Sequence, residues 1–158
     1  MDDYALIGFP SYLLVAIITC SLIIGIFSVS LINMINNSKN EIVKKEIEKI
    51  INEAENMFEY ADTGSLVSVH VDFPDSLSFV VFGDIPTNGK NLPYDKSLND
   101  KTSNNYYYVL KDNSIYSFSS PARFSSNNTD EICILKKGSY ILKLELVNEE
   151  GKTYVKIY

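Results

Sequence analysis

Between Tyr4 and Ser38 the chain carries no charged side chain, and from Leu13 to Ile35 it is apolar enough to cross a bilayer. About 20 residues of helix at 1.5 Å per residue suffice for that crossing. A helix that is apolar all round must be covered by lipid or by other such helices. This segment therefore constrains the rest of the chain more than any other. A secretory signal has a basic start and an apolar core of about 7–15 residues. Here the start is Met1-Asp2-Asp3-Tyr4 and the core is longer, so a cleaved secretory signal is not expected. Pro10 suits the first helical turn, where its missing N–H costs nothing, with Gly8 or Phe9 ahead of the helix. The candidate membrane and assembly residues are Leu13, Ile17, Ser21, Ile24, Gly25 and Ser28. Among them Ser21, Gly25 and Ser28 form a line of small residues along which helices can approach closely in lipid.

Behind the span, NEIVKKEIEKIINEAENMFEYAD has the pattern of an amphipathic helix. Ile42, Val43, Ile47, Ile50, Ile51, Ala54, Met57, Phe58 and Ala61 recur at spacings of three and four. Thr63-Gly64 supplies the stop. The polar stretch Asn33 to Ser38 contains neither Pro nor Gly, so one helix from about Pro10 to about Ala61 is expected. The chain then divides into a tail and transmembrane helix (1–38), an amphipathic helix continuing or following it (39–63), and a β-rich soluble domain (64–158). Lys39, Lys44, Lys45 and Lys49 follow the span and no Lys or Arg precedes it. By the positive-inside bias this keeps the C-terminal part in the cytoplasm. The same lysines alternate with Glu41, Glu46 and Glu48 and serve a helix surface equally well, so orientation stays open.

After Gly64 the period changes to two. Val67, Val69, Val71 and Phe73 alternate with Ser68, His70 and Asp72, and SLSFVVF is apolar enough to be buried on both faces. YYYVL and SIYSF flank Lys111-Asp112-Asn113 as a hairpin. EICIL and SYILKLELV around Lys136-Lys137-Gly138 read as a second hairpin, with Tyr140, Leu142, Leu144 and Leu146 inward. Asn148 to Gly151 turns the chain into KTYVKIY, with Val155 and Ile157 inward. Residues 84–105 and 117–130 read as long polar loops, either mobile or used for contacts. Strands without intervening helices give an α+β fold: the long N-terminal helix packed on a C-terminal antiparallel β-sheet or small β-sandwich.

Little in the chain points to chemistry. A net charge of −6 argues against nucleic acid, which needs clustered Lys and Arg. Cys20 lies in the apolar run and Cys133 in a strand, so they would sit in different media and a disulfide is not expected. There is no CxxC, calcium loop, GxGxxG or P-loop. His70 is the only histidine and falls on the polar side of its strand. No catalytic residue, cofactor or metal site is expected, and the chain reads as a non-enzyme. Tyr106-Tyr107-Tyr108 would expose Tyr107 if its neighbours point inward, making Tyr107 a candidate surface contact. Asn127 and Asn36 head N-x-[ST] triplets and are candidate glycosylation sites, Asn127 the better placed.

The order of parts, an apolar helix running into an amphipathic one and then a β-domain, resembles the type IV pilin-like proteins. The resemblance is closest to the membrane-anchored archaeal ones, which include archaellum components. It covers nearly the whole chain and is architectural. In that family a peptidase cuts after a small residue just before the apolar run, and Gly8-Phe9 looks like such a junction. No basic residue precedes Gly8, and Leu13 stands fifth after it where the family often has Glu. The resemblance implies membrane lipid and other pilin-like subunits or further copies as partners, and a β-domain displayed outside the cell. Two functions are open: a structural, pilin-like envelope protein, or a single-span tether whose β-domain binds an envelope sugar or protein. A membrane-anchored hydrolase is disfavoured by the missing motifs.

Overall fold

A computed structural model describes residues 11–158 apart from 88 and 90. The fold is α+β: one long helix, α1 (Ser11–Tyr60), followed by eight strands in two sheets. The strands are β1 (Leu66–Phe73), β2 (Leu77–Phe82), β3 (Asn105–Leu110), β4 (Ile115–Ser119), β5 (Phe124–Ser125), β6 (Cys133–Lys136), β7 (Gly138–Glu149) and β8 (Lys152–Ile157). The first sheet has the order β1-β7-β8-β5 and the second β4-β3-β2-β6. All pairs are antiparallel except β5 with β8. The chain forms two compact units, Met1–Ser38 and Lys39–Tyr158.

The helix is unbroken through Asn33 to Ser38, as expected from a stretch with no Pro or Gly. It ends where Gly64 takes up a left-handed φ of 91°, with its amide donating to the Leu146 carbonyl at 2.7 Å. Gly bears that conformation without a Cβ clash. Within the second unit, Val43, Ile47, Ile50, Ile51, Ala54 and Met57 are buried. They share one core with Val71 and Phe73 of β1, Leu142, Leu144 and Leu146 of β7, and Val80 and Phe82 of β2. Ile42, grouped with this stripe by spacing, instead faces solvent at 49 % exposure. Three polar ties fix the helix on the strands. The Tyr108 hydroxyl donates to Asn40 Oδ1 at 2.8 Å, the Asp72 amide to Glu46 Oε2 at 2.9 Å, and the Ser120 hydroxyl to Glu55 Oε1 at 2.8 Å.

In the second sheet β2 and β3 are buried on both faces, as the apolar run of β2 requires, whereas edge strand β4 is mostly exposed. The sheet's inner face joins the main core. Its outer face carries a smaller cluster of Phe79, Val81, Tyr107, Val109 and Ile132, against which Leu98 packs. The segment between β2 and β3 thus lies over the sheet. It is held by the Leu98 amide donating to the Asp130 carbonyl and the Ile132 amide donating to the Lys96 carbonyl. Gly83 sits where a Cβ would meet Leu98 Cδ1 at 2.7 Å and the Phe124 carbonyl oxygen at 3.0 Å, with φ at 97°.

The strand connections depart from the sequence expectation in two places. β6 and β7 are not a hairpin: β6 pairs with β2, β7 pairs with β1 and β8, and Lys137-Gly138 carries the chain between sheets. Gly138, at φ 139°, makes that step easily. The second polar loop is also shorter than expected, because β4 runs to Ser119 and β5 pairs with Val155 and Lys156 of β8. The β7–β8 turn is a true two-residue hairpin. Glu149 pairs with Lys152, and Glu150 and Gly151 take φ of 52° and 77°, as a type I′ turn demands.

Candidate functional site: an exposed apolar helix

Every described side chain from Tyr12 to Ile35 is exposed, although almost all of them are apolar. The richest 18-residue window has a mean hydropathy of 2.6 and none of it is buried. The helix is therefore long and apolar enough to span a membrane. Residues 13–35 cover about 34 Å at 1.5 Å per residue, against ~30 Å of hydrocarbon. Leu13, Ile17, Ser21, Ile24, Gly25 and Ser28 all lie on α1. At ~3.6 residues per turn they fall within roughly 120° of one another, so they form one face.

Three of the hydroxyls on this helix are satisfied internally. Thr19, Ser21 and Ser28 donate to the carbonyls of Val15, Ile17 and Ile24, each at 2.8 Å. No polar side-chain proton on these three is left to be hydrated, which is what a hydrocarbon environment requires. Spacing alone does not reveal this pairing. A Cβ added at Gly25 would meet nothing within 4 Å, so its small size leaves an open notch on the helix. Gly8 and Phe9 lie outside the described residues.

Tyr107 is not a surface contact. It is 2 % exposed and packs edge-on against Phe79, ring centroids 6.2 Å apart. Its neighbours Tyr106 and Tyr108 point to the opposite face, as expected, but the segment carrying Leu98 covers the face that Tyr107 occupies. Burial, followed by the charge of Asp84, pushes the Tyr107 hydroxyl up to about 12. Asn127 is exposed in the bend after β5, and the Thr129 hydroxyl of its triplet donates to the Glu149 carboxylate. Asn36 lies within α1. His70 is exposed on β1, opposite Ile141 of β7. Cys20 is exposed, whereas Cys133 is buried and its thiol is pushed up to about 12 by that burial.

An open cleft of about 750 Å³ lies between the segment 95–101, Thr129-Asp130 and the β7–β8 turn. Asp95, Asp100, Asp130, Glu149 and Glu150 line it. Lys152 and Tyr154 both donate to Asp100, and Thr129 and Lys156 both donate to Glu149. The Lys152 and Tyr154 hydrogen bonds hold Asp100 below the usual carboxylate range. The Thr129 and Lys156 hydrogen bonds do the same for Glu149. These pairs tie loops together. Among the described residues, no group of three or more His, Cys, Asp or Glu side chains is arranged to hold a metal ion. No known protein family, curated protein or solved structure matches the chain.

Proposed function

We propose that this is a structural, pilin-like envelope protein whose apolar helix serves first as membrane anchor and then as a self-association surface. The exposed, all-round apolar run from Tyr12 to Ile35 is the observation that carries this reading. In water such a surface is strongly unfavourable, and lipid or sister helices are the two environments that cover it. The small face of Ser21, Gly25 and Ser28, with both hydroxyls turned into their own backbone, supports close helix approach. The β-domain, with its own closed core, is displayed on this anchor on the outer side of the membrane.

The test uses the full chain in membranes and the native Cys20 thiol, which is exposed on the helix. Oxidative cross-linking at Cys20 is expected to yield covalent dimers, and Ile24→Asn is expected to abolish both dimers and filaments. Normal filaments from Ile24→Asn overturn the assembly reading. Membrane residence without cross-links or filaments leaves a single-span tether, the second function open from sequence.

A further inference from the structure

We propose that the end of the β-domain entered by Lys39 docks on anionic lipid headgroups through Lys39, Lys111, Lys136 and Lys137. This rests on the membrane reading above and adds a headgroup preference to it. Three connections meet at this end. The Lys111 amide donates to the Ser76 carbonyl at 2.9 Å, joining the β3–β4 turn to the β1–β2 connection. Lys137 bonds Asp75 at 2.7 Å, joining the step from β6 to β7 to the same place. The Tyr108 hydroxyl on Asn40 brings the start of the second unit alongside β3. Asp112, in the β3–β4 turn, is held below the usual range first by the Ser114 amide, with a smaller contribution from the charge of Lys39.

The charge on this end differs from that on the rest of the domain. Residues 39–46, 71–78, 109–115 and 134–140 carry six lysines against five carboxylates, whereas the remainder from Lys39 onward carries eight basic against thirteen acidic residues. Of the carboxylates here, Asp75 is neutralised by Lys137, Asp112 accepts its own turn amide, and Asp72 accepts the Ser139 hydroxyl. Lys39, Lys111 and Lys136 are exposed and form no ion pair among the described residues.

Strand β7 measures the separation of the two ends. Lys136 and Lys137 flank its start, and Glu149 and Glu150 its finish. At ~3.3 Å per residue those points are roughly 36 Å apart. Screening over about 8 Å at physiological salt hides the acidic end from a surface that the basic end touches. Lys39 follows Ile35, the last residue of the apolar run, by only four residues, so the chain itself keeps this end of the domain close to the hydrocarbon edge of the membrane reading. An anionic headgroup layer offers the complementary charge in the one place where these lysines can meet it.

The full chain is reconstituted in vesicles of phosphatidylcholine alone or with about 30 mol% phosphatidylglycerol, and amide hydrogen exchange is read in the two lysine turns. Exchange at Lys111 to Ser114 and Lys136 to Gly138 is expected to slow about threefold or more with the anionic lipid, and to recover in about 0.5 M NaCl. The triple variant K39Q/K111Q/K136Q is expected to lose the difference, while K96Q/K101Q/K152Q keeps it. Equal exchange in the two lipids, or protection that survives in the first triple variant, overturns the docking. Flotation separates this from the anchor: a chain that floats with neither vesicle overturns the membrane reading and the docking together.

Discussion

The two parts of α1 share one backbone geometry and differ in what covers them. Up to Ile35 every described side chain is exposed, whereas Val43, Ile47 and Ile50 are at most 2 % exposed. The sequence difference behind this is modest. The first part is apolar on all sides, and the second interposes Glu and Lys outside the buried stripe, with Glu46 and Glu55 at its margin bonding the β-domain. Helix formation itself therefore says little about environment. The angular spread of apolar side chains decides whether a helix belongs to a folded core or needs lipid or sister helices.

The sharpest way to break the comparison is to truncate matched isoleucines. Ile50→Ala is expected to cost about 2–5 kcal/mol of β-domain stability, because Ile50 is fully buried. Ile24→Ala, at a side chain 65 % exposed, should leave denaturant unfolding of that domain unchanged. Next comes Ile24→Asp, expected to add about 3–4 kcal/mol to membrane insertion and to shift protein out of the membrane fraction, with the β-domain intact. If Ile24→Asp also unfolds the β-domain, the two parts are not separable as drawn.

Smaller effects sharpen the boundary. Tyr108→Phe removes the hydrogen bond to Asn40, where cover of the helix begins, and should cost about 0.5–1.5 kcal/mol in chemical unfolding. The smallest expected effect is the pH dependence of Glu46. Burial raises its carboxyl, but the Lys49 and Asp72 hydrogen bonds together outweigh that and leave it below its ordinary 4.5. A lowered folded-state value stabilises the fold above the unfolded value and is lost as pH falls through the folded one. The stability gap between wild type and Glu46→Gln should therefore be constant at neutral pH and shrink below about 4.5. A gap that widens toward acid contradicts the assignment.

Much of the fold is legible in the sequence because side-chain period and turn chemistry are local. The helix from Ser11 to Tyr60, the inward faces of β1, β7 and β8, and the β3–β4 hairpin all follow from patterns within a dozen residues. The features that local patterns miss are non-local. Lys136-Lys137-Gly138 has the composition of a hairpin turn, but composition does not say whether the next strand returns beside the last one or crosses to another sheet. Alternation puts Tyr107 outside because the residues that cover it, Leu98 and Ile132, lie in or beside segments that read as polar loops. β5, two residues paired in parallel with β8, is too short to leave a period. For the candidate helix face, spacing gathers the residues, while the hydroxyl pairing needs coordinates.

The shared core of α1 with β7 and β8 has a consequence for the order of events during synthesis. The buried helix face is made first, and the strands that close over it follow roughly 80–110 residues later, which at ~5–20 residues per second means several seconds without cover. The apolar run ahead of it leaves the ribosome earlier still. On the proposed anchor reading, targeting to the membrane therefore has time to finish before the β-domain folds. In the proposed anchored state the chain is tethered at one end while its last strands close the core, and the nascent amphipathic face is the part most in need of a chaperone during that interval.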